Sequence, residues 1–296
     1  MAYSKSNKLN HLLTNWLSGT VAISSWLKGQ GYSSSLLTQY RQNSWISSIG
    51  HDANVRPNEK VDWTGGLYAM QEQLHLPVHA GGKTALQLHG YAHFLPMVTD
   101  PSGEGLKDGT GFGGGSASGA GTGLGTGSGN QFFITLFSPP GVRLPSWFMQ
   151  YDWRVKVYHA MTKIFPFKGD IGLTRKEMGD YSIKISAPER AMMEVLYMVP
   201  QEESYEEAKL LMEGLSTLRP ELVQALLKNC RSVKVKRLFM HLAEACNLPW
   251  VKKLDTKKVN FGKGKRVVVA GGHFDSKYNI SVPGPRLEQA AKVEKQ

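Results

Sequence analysis

Leu9, Leu12, Leu13, Trp16 and Leu17 recur at i, i+3, i+4, i+7 and i+8, which predicts one apolar face of an amphipathic helix. A second short helix is predicted from Ser24, whose hydroxyl suits an N-cap, through Trp26 and Leu27, with Gly29 and Gly31 ending it. Ser33 then caps a third, about Ser34 to Asn43, which buries Leu36, Leu37 and Tyr40. Its other face carries Ser34, Ser35, Thr38, Gln39, Arg41 and Gln42. Two helices joined by a glycine-containing turn, the second polar-faced, are the ingredients of a helix-turn-helix. Trp45 to Arg56 alternates and turns through Gly50, His51 and Asp52, as a basic-tipped wing does. The pattern points to DNA. Tri-helical clusters of this kind also serve as packing or protein-docking modules, and the pattern alone leaves both open.

Beyond the wing, Trp63, Leu67, Met70 and Leu74 share one face of a fourth helix, and a short helix from Lys83 to Leu88 closes at Gly90. Residues 101–130 are a low-complexity tract with thirteen glycines, expected to be a flexible loop between two strands. Its Gly109–Gly114 run matches G-x-G-x-x-G only formally, since the tract runs into a strand-like segment rather than a helix and so many glycines make a chance match expected. Gln131 to Phe137 reads as a strand, Trp153 to Tyr158 as a half-exposed strand, and Tyr181 to Ile185 as another. Ser186-Ala-Pro-Glu189 and Ser204-Tyr-Glu-Glu207 read as capping boxes opening two helices. Pro220 starts a third, Val235 to Leu242 mark a fourth, and a hairpin-like segment closes the chain. The expected fold class is α+β, an N-terminal winged helix-turn-helix followed by a mixed α/β C-terminal domain. The expected divisions are 1–97, a glycine-rich insertion at 98–130, and 131–296.

Charge changes the picture at one end. The net charge is +11, yet residues 1–100 carry only seven Lys/Arg against five Asp/Glu. Residues 231–296 carry fifteen against five. Such a surplus is either a solvated face or a surface for phosphates or an acidic partner. Cys230 and Cys246 are too few for a disulfide framework or a four-cysteine zinc site, and no run approaches a membrane span. A reducing, cytoplasmic setting fits, with no membrane partner.

Candidate chemistry is thin. His89 and His93 stand four apart with His79 nearby, but Gly90 breaks the helix that ligation at i, i+4 needs. His241 and Cys246 flank a helix end without an orienting group in view. No Walker loop, serine elbow or paired-carboxylate motif is present. No metal, cofactor or catalytic residue is expected, and the chain is read as a non-enzyme.

Several stretches stand out in order and spacing: Trp26-Leu27, Leu36-Leu-Thr-Gln-Tyr40, Val55-Arg-Pro57 and His79-Ala-Gly-Gly-Lys-Thr-Ala-Leu86. Further on come Leu144-Pro-Ser-Trp-Phe148, Ser186-Ala-Pro-Glu-Arg-Ala191, Arg237-Leu-Phe239, Gly264-Lys-Arg266 and Asp275-Ser-Lys-Tyr278. With these stretches the chain resembles the AbiEi-type antitoxins of type IV abortive-infection toxin–antitoxin pairs. The resemblance implies an N-terminal winged helix that represses its own operon and a C-terminal domain that counters an AbiEii-like nucleotidyltransferase toxin, without a stable complex. The glycine tract departs from the short turn expected there. On this reading Ser34, Ser35 and Gln39 face base edges of operator DNA, and Lys28, Arg41 and Arg56 face phosphates. Lys263, Lys265 and Arg266, on what reads as a hairpin tip, form a second phosphate-tracking set. Two alternatives are an RNA-binding protein and an enzyme that reverses the toxin's RNA modification.

Overall fold

A computed structural model describes residues 5–91, 133–166, 169–269 and 271–284; the glycine tract lies outside them. The chain is mixed α+β. It opens with α1 (Lys5–Asn15), β1 (Ala22–Ile23), α2 (Ser24–Gly29), α3 (Ser34–Gln42), β2 (Ser47–Gly50) and β3 (Ala53–Val55). The expected apolar spacings are what close this unit. Leu12, Trp16, Leu27, Leu37, Tyr40 and Ile46 form one buried cluster between the three helices. Beside it, the strands form an antiparallel sheet in the order β1-β3-β2, with Ala22 opposite Asn54 and Ser47 opposite Val55.

Asn54 joins sheet to helices. Fully buried, it donates from Nδ2 to the Ala22 carbonyl and the Ser24 hydroxyl, while Oδ1 accepts from Arg41 Nε at 2.9 Å. The Ser24 hydroxyl is therefore not an N-cap, and Ile23 holds that position without a side-chain bond. Ser33 does cap α3, its Oγ accepting from Leu36 N.

Next come α4 (Trp63–Tyr68), one wide π-type turn at Ala69–Gln73, β4 (His79–Ala80) and α5 (Gly82–Leu88). Beyond the tract follow β5 (Phe133–Ser138), α6 (Ser146–Gln150), β6 (Lys156–Met161), β7 (Leu173–Glu177) and β8 (Ser182–Ser186). Among the described residues β4 to β8 make one sheet in the order β6-β5-β4-β8-β7. β5 and β6 run parallel, while β4 is antiparallel to β5 and parallel to β8. This sheet crosses the expected division, because β4 belongs to the first 97 residues and its neighbours lie beyond the tract. β6 begins three residues later than the alternation suggests. Trp153 turns inward instead, donating its indole N–H to the Phe148 carbonyl beneath the Trp147–Phe148 pair.

The rest is a helical layer of α7 (Pro188–Met198), α8 (Tyr205–Glu213), α9 (Pro220–Asn229) and α10 (Val233–Ala245) around a large aliphatic core. The expected capping box at Ser186 does not form. Ala187 is the N-cap without a side-chain bond, Ser186 Oγ donates to Glu194, and the Glu189 carboxylate accepts from Arg219. At α8, Ser204 caps Glu207 N, but Glu207 pairs with Lys83 rather than reaching back. The closing segment, expected as hairpin-like from Lys263 to Val282, is a hairpin only in its last part, and Lys263, Lys265 and Arg266 are not at its tip. β9 (Arg266–Val267) runs parallel to β11 (Ile280–Val282), and β10 (His273–Asp275) pairs with β11 antiparallel.

Candidate nucleic-acid interface

The C-terminal end of α2, the exposed face of α3 and the β2–β3 hairpin enclose a shallow concavity of about 350 Å³. Lys28, Ser34, Thr38, Arg41, Ser48 and His51 all line it. Three of the expected contact residues, Lys28, Ser34 and Arg41, are thus brought together, with hairpin residues opposite. Arg41 is only half-free. Its Nε and one terminal nitrogen bond Asn54 and Ser24, which fixes the direction in which its charge is presented. Ser34 and Thr38 are exposed, and the Thr38 hydroxyl donates to the Ser34 carbonyl.

The other expected residues are placed differently. Ser35 is exposed, with its hydroxyl against that of Ser33. Gln39 is half-buried on the same helix and outside the concavity. Arg56 turns away. It pairs with Glu59 at 2.9 Å, donates to the Leu13 carbonyl at 2.7 Å and lies over the Trp16 ring. The structure thus gives Arg56 three intramolecular partners where a phosphate was expected, because β3 exits beside α1 rather than toward α3.

The second basic set has a different support. Arg237 of α10 is 2 % exposed, and no carboxylate pairs with it among the described residues. Its guanidinium donates to the carbonyls of Phe261, Gly262, Gly264 and Asn279, at 2.8, 3.1, 2.6 and 2.9 Å. Four carbonyls are drawn inward, and Lys263, Lys265 and Arg266 are left exposed on the outside of the loop. Gly262 and Gly264 take positive φ of 66° and 75°, which lets the loop curl around one cation. Lys265 Nζ lies 4.9 Å above the exposed ring of Phe274. This loop packs on the C-terminal core and α3 on the N-terminal cluster, so the two basic sets do not share one site. Part of the C-terminal surplus is already engaged within the protein, buried or paired at the surface. Lys234 bonds the Tyr197 and Val199 carbonyls, Lys236 is buried, and Lys258 and Lys277 are paired.

The remaining sequence candidates are occupied. His241 lies between Asp275 at 2.6 Å and the Tyr205 hydroxyl at 3.1 Å, tying β10 to α8 and α10. His89 bonds the Ser186 carbonyl, and His93 lies outside the described residues.

His79 belongs to a network that sequence reasoning missed. Glu194 of α7, wholly buried, accepts on Oε1 from His79 Nε2 (2.9 Å) and Arg190 Nε (2.8 Å). On Oε2 it accepts from Gly82 N and Ser186 Oγ. Burial alone raises a carboxyl pKa, but the hydrogen bond from His79 and the charge of Arg190 outweigh it and hold Glu194 well below its usual range. Burial pushes His79 down, so the ring is neutral. A Cβ on Gly81 would collide with this carboxylate, which accounts for one glycine of the Gly81-Gly82 pair.

No helix among the described residues is long and apolar enough to cross a membrane, and no group of three or more His, Cys, Asp or Glu there is arranged to hold a metal ion. Residues 5–97 match the family model described as "Transcriptional regulator, AbiEi antitoxin N-terminal domain". Residues 132–283 match "Transcriptional regulator, AbiEi antitoxin, Type IV TA system". Among solved structures, the crystal structure of the RV2827C protein from Mycobacterium tuberculosis is similar, with a TM-score of 0.54 and 12% identity. The match covers 93% of this chain and 89% of that one, a likeness of fold. No curated protein matches.

Proposed function

The chain belongs to the AbiEi antitoxin family of transcriptional regulators in type IV toxin–antitoxin systems, and from that premise we propose that it is a cytoplasmic autorepressor whose residues 1–97 read operator DNA as a winged helix-turn-helix. The observation that carries this reading is the concavity shared by α2, α3 and the β2–β3 hairpin, where Lys28, Ser34, Thr38, Ser48 and an oriented Arg41 converge. In this arrangement α3 enters the major groove with Ser34, Ser35 and Gln39 toward base edges, and Lys28 and Arg41 meet flanking phosphates. Arg56 holds α1 in place behind them. The hairpin, through Ser48 and His51, is the wing.

The second half, residues 131–296, is the antitoxin domain proper. It opposes a nucleotidyltransferase-like toxin without holding it in a stable complex and without catalysis of its own. Its Lys263–Arg266 loop adds phosphate contacts on DNA beside the winged helix. One observation favours a second reading. Lys265 over the exposed Phe274 ring is a basic–aromatic pair of the kind that stacks unpaired bases, which suits an RNA target for this end.

A footprint of the full chain on the DNA upstream of its own gene tests the first reading. Protection of a short site, lost in a promoter-scrambled control, is expected. Equal binding to any duplex, with tighter binding to single-stranded RNA, would move the function to the second.

A further inference from the structure

A cavity of about 390 Å³ lies where residues 71–79 meet the end of β5, the turn after β6, β7 and β8. Ser138 ends β5 and Thr162 follows β6, and both line it, so the cavity opens at the carboxyl ends of two parallel strands. His79 at the start of β4 and Leu173 at the start of β7 line it as well, so ends of four of the five strands, with Lys184 of β8, surround it. The volume falls in the range of small-molecule sites. Phe137, Phe165 and Leu173 give it apolar walls, and the His79 ring stacks on Phe137 with centroids 6.0 Å apart.

Two buried polar side chains line this cavity with hydrogen-bonding atoms still free. Arg190 is 9 % exposed; its Nε bonds Glu194 and its Nη1 the Ile171 carbonyl, while Nη2 has no hydrogen-bond partner among the described residues. His79 is 6 % exposed and meets Glu194 through Nε2. Glu194 is ionised, so Nε2 carries the proton and Nδ1 is a bare acceptor, again without a partner among the described residues. Both side chains form part of the cavity wall, so these two atoms are available to polar groups of a ligand held there. The two groups lean on the same carboxylate oxygen, which fixes their relative position. Around the rim, Arg175 pairs with Glu72 and Lys184 with Asp170; these exposed ion pairs are weak and open to competition from a ligand.

We propose that this cavity is a small-molecule site for an organic oxyanion that also carries a hydroxyl or amine hydrogen. The oxyanion accepts from Arg190 Nη2 with Lys184 or Arg175 at the rim, and the hydrogen is donated to His79 Nδ1. A protonated phosphate monoester and a hydroxycarboxylate share this chemistry. The site is separate from the α2–α3 surface and does not depend on how nucleic acid is bound.

The test is thermal melting and titration calorimetry of the full chain with ribose 5-phosphate, adenosine monophosphate, malate and inorganic phosphate. At least one organic compound is expected to raise the melting temperature by roughly 2–6 °C and to give a saturable one-site isotherm. Saturation by the sugar or nucleotide phosphate alone assigns a phosphate, and by malate alone a carboxylate. Leu173→Trp, which fills the cavity from a half-buried strand position, should abolish binding while the variant still melts cooperatively. Arg190→Lys, which keeps the charge but loses the fork, should weaken binding at least about tenfold. If Arg190→Lys fails to fold, Leu173→Trp decides. Absence of binding by every compound at millimolar concentration, or binding undiminished in Leu173→Trp, overturns the proposal.

Discussion

Arg190 and Arg237 are both buried arginines on helices of the C-terminal half, and their surroundings are opposite. Arg190 meets a carboxylate that also takes His79 and the backbone N–H of Gly82, so a single acid clasps α5, β4 and α7. Arg237 meets only carbonyls, four of them, all but one from a single loop. The first arrangement cancels charge and locks segments that the chain brings together from either side of the glycine tract. The second leaves its charge uncancelled beneath a loop that already carries Lys263, Lys265 and Arg266. A buried cation with a carboxylate serves cohesion, whereas one with carbonyls shapes a loop and keeps its field positive.

The sharpest way to break this contrast is to remove the carboxylate. Glu194→Ala leaves Arg190 buried without a counterion and strips partners from His79, Ser186 and Gly82, so a loss of about 3–5 kcal/mol is expected. Urea unfolding measures it, and a loss below about 1 kcal/mol would mean that the network does not hold the halves together. The pH dependence gives an independent check. The folded pKa of Glu194 is depressed below 4.5, so its contribution is present above that value and fades as pH falls. His79 is depressed below 6.5 and neutral in the fold, so its contribution also fades as pH falls, beginning near 6.5. Acid therefore destabilises the wild type in two overlapping steps. Glu194→Gln, less stable throughout, should show a flatter profile below pH 4.5.

Arg237→Met keeps length and apolar contact but removes every bond to the loop. The carbonyls of Phe261, Gly262 and Gly264 lie near the surface, where water can reach them, so the cost is set at about 2 kcal/mol, less than for Glu194. The local effect is larger than the global one. Amide exchange at residues 261–266 should accelerate more than exchange in the α7 core, which calorimetry alone would not reveal. Uniform acceleration across the whole C-terminal half would make Arg237 an ordinary core residue.

Much of this was legible beforehand, and the reason is periodicity. α3 with its Ser33 cap, the turn at Gly50–Asp52 and the Pro220 start of α9 all rest on local rules, and the observed bounds agree within a residue or two. What the sequence hides is long-range partnership. Ser186 and Glu189 fit a capping box, but each found a stronger partner more distant along the chain or deeper in the fold, Glu194 and Arg219. Arg56 read as a phosphate contact because nothing in the sequence announces that the Leu13 carbonyl and the Trp16 ring will meet it, although Glu59, three residues on, is a local partner. The basic surplus of residues 231–296 read as one surface, although Lys234, Lys236 and Arg237 face inward. Asn54, Glu194 and the cavity at Arg190 carried no signal at all, since none has a motif and each depends on residues far apart in sequence.

Changing Lys263, Lys265 and Arg266 together to Ala separates the outer charges from the buried one. Stability should be unchanged or slightly higher, because three exposed cations near Arg237 are removed and no carboxylate loses a partner. Affinity for long duplex DNA should fall, most at low salt, and the slope of log K against log salt should shrink by up to about 2.7 if all three meet phosphates. An unaltered slope would return these residues to keeping a short edge strand soluble.

The smallest expected effect tests the N-terminal helices, where charge is sparse. Gln39 is half-buried on α3, its side-chain amide makes no hydrogen bond among the described residues, and it lies outside the concavity that gathers Lys28, Ser34 and Arg41. If α3 lies in the major groove, Gln39 meets at most one base, so Gln39→Ala should cost roughly 1 kcal/mol at the operator and relax preference at a single position. Its salt slope should match wild type, unlike that of the triple variant, because no phosphate contact is lost. Binding to scrambled duplex should be unaffected. Operator binding identical to wild type, at every position of a mutated site, would place the reading face on Ser34, Thr38 and the hairpin instead, with Gln39 as packing at the edge of the helix.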